Sequence, residues 1–84
     1  MHIIAQHKIS DPSKFWDVAQ AGMSNLPKGM KLHKVLPNAD GSKAVCLWEA
    51  GRLDEVKSFV QSSVGQFSTN EFFEVEAKKA VGLP

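Results

Sequence analysis

The sequence predicts an α+β domain, a four-stranded antiparallel sheet with two helices on one face. Six periodic segments follow one another in the order β-α-β-β-α-β, separated by short turns. The 84 residues suffice for one domain, residues 1–84, with a thin core; a chain of ~60 residues buries only about 60% of its surface, and the fraction rises slowly with length. Apolar residues make up 43% and charged residues 23%, which excludes a disordered, collagen-like or coiled-coil chain.

The first segment, His2–Ile9, carries Ile3, Ile4 and Ile9, too short and β-branched for a helix, and reads as a strand. Asp11-Pro12 then starts a helix, with Asp11 as the N-cap that accepts an orphan N–H and Pro12 at the first helical position. Phe15, Ala19 and Met23 recur every four residues along it, with Trp16 beside them. Asn25-Leu26-Pro27 and Lys28-Gly29 end it. A second strand is expected over about Met30–Leu36, and a turn over Pro37–Ser42, where Gly41 can take positive φ. The third strand, Ala44–Ala50, is almost wholly apolar. Leu53, Val56, Val60, Val64 and Phe67 give the second helix its stripe, Asp54 and Glu55 suit its first turn, and Gly65 marks its stop. Phe72–Ala77 completes the set as a fourth strand, Phe73, Val75 and Ala77 alternating with Glu74 and Glu76.

This is the split βαβ order of the ferredoxin-like sandwich. Right-handed crossovers place the first and third strands side by side at the centre, both helices on one face. A sheet with one wet face should alternate apolar and polar residues. The third strand does not: Ala44, Cys46 and Trp48 point one way, Val45 and Leu47 the other, and Ile3 and Ile4 likewise divide. The second face therefore needs a cover, and no segment is left to supply one. A second copy of the chain can, which predicts a homodimer closing an eight-stranded barrel. The alternatives are an edge-on or helix-side contact, or a monomer with a sticky face.

Ten basic against nine acidic side chains leave a net charge of +1, without the basic stripe of a nucleic-acid binder. Cys46 is the single cysteine, so no internal disulfide forms. The opening MHIIAQHKIS lacks the apolar run of a secretory leader, and no stretch nears the ~20 apolar residues of a membrane span. A cytoplasmic location, with neither nucleic acid nor membrane as partner, is expected.

With this architecture the chain resembles the dimeric α/β-barrel group of ferredoxin-like proteins, which includes cofactor-independent monooxygenases, small decarboxylases and isomerases. More narrowly, Lys31-Leu32-His33, then Asp40-Gly41, then Cys46-Leu47-Trp48-Glu49-Ala50 resemble a set of small nickel-binding-like proteins. Those carry a histidine on the second strand, a glycine turn, and a third strand of this pattern leading into an acidic helix start. After Ala50 the chain departs from them, with Gly51-Arg52 in place of a proline-containing turn. The resemblance implies a homodimer that holds a metal ion (nickel or another divalent transition metal) or a small ligand between its sheets. The alternative it implies is a cofactor-independent enzyme of the same barrel type.

His33, Glu49 and His7 are the polar groups on otherwise apolar strands. If the turn pairs residues whose numbers sum to about eighty, His33 faces Leu47 and Glu49 is its diagonal neighbour, roughly 7–8 Å away on the same face. A slip of one residue would part them. His plus Glu suits nickel, zinc or copper, but two ligands do not close a site. His7 lies a strand further on, so joint ligation with His33 needs help from His2 or a dimer mate. As acid–base groups, His33 or His7 would move protons, with Trp48 walling the pocket. A plainer reading leaves His33 solvated and pairs Glu49 with Lys31 across the strands. Cys46 reads as a small buried hydrophobe.

Overall fold

A computed structural model describes residues 1–84. It contains β1 (His2–Ile9), α1 (Pro12–Met23), β2 (Lys31–Pro37), β3 (Lys43–Glu49), α2 (Leu53–Val64) and β4 (Ser68–Glu74). The strands form one antiparallel sheet in the order β2-β3-β1-β4, with β3 and β1 central as the crossover rule requires. This is the ferredoxin-like α+β architecture.

The core lies between this sheet and the helices. Ile3, Ala5 and Ile9 of β1 and Ala44, Cys46 and Trp48 of β3 meet Phe15 of α1 and Val56, Val60 and Val64 of α2. The strand residues recur every two positions and the α2 valines every four, each period placing a single face inward. Trp48 packs edge-on against Phe59, with ring centroids 5.9 Å apart. At the start of α1 the Asp11 carboxylate accepts the Lys14 N–H at 3.2 Å, as its sequence position predicted.

Two glycines are required by close approach. Gly41 has φ +75°, and its carbonyl accepts the Trp16 indole N–H at 3.0 Å, tying α1 to the β2–β3 turn. A Cβ at position 41 would stand 3.0 Å from Trp16 Nε1. Gly41→Ala is therefore expected to cost about 1–2 kcal/mol, from left-handed backbone and the displaced indole, measured as a lowered urea midpoint; an unchanged midpoint would contradict the tie. Gly65 caps α2 with right-handed backbone. Its side chain is excluded by proximity instead, since a Cβ would fall 2.4 Å from the Gln61 carbonyl oxygen.

The fourth strand differs from its expected span. It runs over Ser68–Glu74 rather than Phe72–Ala77, because β1 alone supplies its hydrogen-bonding partners. Pairing begins at Ile9↔Ser68 and reaches Ile3↔Glu74, followed by a Val75 N–H donated to the His2 carbonyl at 2.8 Å. With β1 starting at His2, Glu76 and Ala77 have no strand to pair with, and the Glu76 carbonyl instead accepts the Lys79 and Ala80 N–H groups in a turn, both at 3.1 Å. Phe67 correspondingly leaves the helical stripe: its carbonyl accepts the Ser10 and Asp11 N–H groups at the β4 entrance. The β2–β3 ladder also differs. Lys31↔Glu49 and Leu32↔Trp48 keep the sum of eighty, but Lys34↔Leu47 and Val35↔Cys46 are shifted by one. Leu47 thus pairs with Lys34, and His33 is the extra residue of a β-bulge.

Ahead of a last row of Lys43, Lys8 and Thr69, the face away from the helices carries three rows of side chains, read from the registers. Lys31, Glu49 and His2 form one, Lys34, Leu47, Ile4 and Phe73 the middle one, and Leu36, Val45, Gln6 and Glu71 the third. Leu47 is buried even here, whereas Phe73 and Leu36 are 48% and 59% exposed.

Candidate metal centre

The β-bulge decides where His33 goes. An extra residue lets one strand oppose two positions to one, which re-aims the bulged side chain. His33 Nε2–H donates to Glu49 Oε1 at 2.8 Å, so the two residues meet through the bulge rather than across a regular diagonal. That bond is the main reason the Glu49 carboxyl lies below its ordinary range; the neighbouring His2, Lys31 and His33 charges help, and desolvation opposes.

His2, at the start of β1, completes a cluster that the sequence had offered only as an auxiliary. It is the register partner of Glu49, and its Nε2 stands 3.6 Å from Glu49 Oε1. The His2 and His33 rings lie 5.6 Å apart between centroids. One ligand atom from each of His2, His33 and Glu49 lies within 4.8 Å of the others. His2 Nε2 is buried and has no hydrogen-bond partner. A buried polar atom without a partner is costly, and most such atoms in folded proteins are satisfied. The missing sequence signal was the register: only the His2↔Glu49 pairing shows that a residue 31 positions from His33 shares its neighbourhood.

The remaining expected site residues sit on the other face. His7 is 5% exposed, packed on Phe15 at 5.4 Å between ring centroids. Its Nδ1 lies 2.6 Å from Asn70 Oδ1. The Asn70 amide donates to Gln61 Oε1 at 2.7 Å, so Oδ1 accepts and the proton sits on His7 Nδ1. Trp48 is buried on that side too, its indole N–H unpartnered. Both line a cavity of about 50 Å³ between sheet and helices. Cys46 shares it, its thiol pushed up to about 11 by burial and therefore protonated and unreactive. The structure thus brings His33 and Glu49 together with His2, and separates them from His7 and Trp48 by the thickness of the sheet.

Burial lowers the His7 pKa below 6.5, with the Asn70 hydrogen bond opposing in part. The folded protein then takes up this proton less readily than the unfolded chain. The stability involved is complete above pH 6.5 and is lost as pH falls below it. Urea midpoints should decline on acidification through this range, and the slope should flatten in His7→Gln; equal slopes would contradict a buried neutral His7.

No helix is long and apolar enough to cross a membrane. Compared with known proteins, the chain matches no protein-family model, no curated protein and no solved structure.

Proposed function

We propose that the protein is a homodimer that binds a divalent transition metal through His2, His33 and Glu49. The observation that carries this reading is the buried, unpartnered His2 Nε2 beside the His33–Glu49 pair. Two imidazole nitrogens and one carboxylate oxygen suit nickel, zinc or copper, and leave a coordination position for solvent or a further ligand. Such an ion would give His2 Nε2 a partner and replace the proton now shared by His33 and Glu49. The middle row of the open face supports the dimer, since Ile4, Leu47 and Phe73 form an apolar band beside the cluster.

The test is a calorimetric titration of chelator-free protein with Ni²⁺ and Zn²⁺. One site per chain is expected. His2→Ala, His33→Ala and Glu49→Gln should each weaken binding at least ~100-fold, since even outer-shell partners of a metal are worth 10–100-fold. Affinity should fall on acidification as protons compete with the metal for its ligands. Binding that survives all three substitutions would overturn the assignment.

A second reading, a cofactor-independent enzyme of the dimeric α/β-barrel type, draws on His7 and Trp48 around their shared cavity. Its volume of about 50 Å³ falls well short of the ~300 Å³ at which small-molecule pockets begin. Catalysis there would require α1 and α2 to part, and the metal reading requires no such motion.

A further inference from the structure

We propose that the end of the open face opposite the histidine cluster binds a small organic monocarboxylate. Lys8 of β1 and Lys43 of β3 are direct register partners on this face. Like charges placed directly opposite destabilise a sheet. Neither ammonium has a carboxylate within ion-pair distance. Two exposed cations are therefore direct cross-strand neighbours, neither of them in an ion pair.

They border a groove of about 490 Å³, within the ~300–1,000 Å³ range of small-molecule pockets. Its floor includes the cross-strand pair Leu36 and Val45, and Leu36 is 59% exposed in the single chain. Asn38 is fixed at the rim: its Oδ1 accepts the Lys43 N–H and its Nδ2 donates to Ser42 Oγ. Glu71 lies across from Gln6, diagonal to Lys8, and closes the other side. The groove combines a cationic end with an apolar floor, which fits an anion bearing a hydrocarbon part.

Charge and chemistry narrow the ligand. Lys8, Lys43 and Glu71 sum to one net positive charge, which matches one carboxylate and disfavours a dianion. Phosphate is better recognised by arginine forks and helix N-termini. The single arginine, Arg52, directly precedes α2, away from this groove. All the groove residues come from one chain and none of them belongs to the histidine cluster; the groove lies on the face that the proposed dimer pairs, so in that assembly it opens between the two sheets. His2 and Lys8 are six positions apart on β1, roughly 20 Å at the usual strand rise.

The experiment is an amide-resolved NMR titration of the full chain with hexanoate, and with 1-hexanol at matched ionic strength. Hexanoate should give saturable shifts at Lys8, Lys43 and Val45, and hexanol should bind at least about tenfold more weakly. Lys8→Gln with Lys43→Gln should weaken hexanoate at least tenfold while melting no lower than the parent, because a like-charge pair is relieved. Glu71→Gln should tighten it. Absent saturation, equal binding of the alcohol, or binding unchanged in the double variant would overturn the proposal. Repeating the titration with His33→Ala separates the two sites: loss of metal with hexanoate retained leaves this inference standing.

Discussion

Phe15→Ala is expected to remove about 3–5 kcal/mol of stability, the usual cost of emptying a large buried aromatic site. Phe15 is 3% exposed and belongs to the core cluster between the sheet and the helices. Its ring lies 4.9 Å from Trp16 and 5.4 Å from His7, centroid to centroid. Removing it merges the new void with the small cavity beside His7 and Trp48, which Phe15 also lines. Collapse is hindered because the Trp16 indole is already committed to the Gly41 carbonyl. A domain of this length is stable by about 4–13 kcal/mol at the usual per-residue range. The substitution should therefore leave the protein marginal, visible in urea melts as a large drop in midpoint. A loss below about 1 kcal/mol would show that the helices are not anchored through this ring.

Phe73→Glu is expected to convert the proposed dimer into a monomer while leaving the fold intact. Phe73 lies on the edge strand, half exposed, opposite Ile4 in the apolar middle row. In a single chain a glutamate there is solvated at little cost. Between two packed sheets it would bury an unpaired carboxylate twice, by symmetry, at a cost of several kcal/mol. The dimer dissociation constant should rise by two orders of magnitude or more, read by sedimentation, with an unchanged urea midpoint for the separated chain. An assembly insensitive to this charge would place the contact elsewhere.

The outline of the fold was legible because each element carries its own period and punctuation. Asp11-Pro12 starts α1, the valines of α2 recur at helical spacing, and the apolar run of β3 required a central strand. Legibility ended where pairing between strands decides the outcome. The span of β4 depends on where β1 supplies backbone, which no periodicity in Phe72–Ala77 records. The His33–Glu49 pair was anticipated from a regular ladder but is delivered by a bulge, and a single extra residue leaves no trace in local composition. His2 is hidden in the sequence for the same reason: its place in the cluster follows from its register with Glu49. His7 and Trp48 stood out as polar and aromatic residues on strands, yet strand parity points both toward the helices, away from the cluster.

Native mass spectrometry of untagged, chelator-free protein supplied with Ni²⁺ weighs the assembly and its metal together. The predicted species is a dimer near twice 9.2 kDa carrying one metal ion per chain, with the metal absent from His33→Ala. A monomer, or a dimer that takes up no metal, would contradict the account of His2, His33 and Glu49 as a metal centre on a paired sheet face.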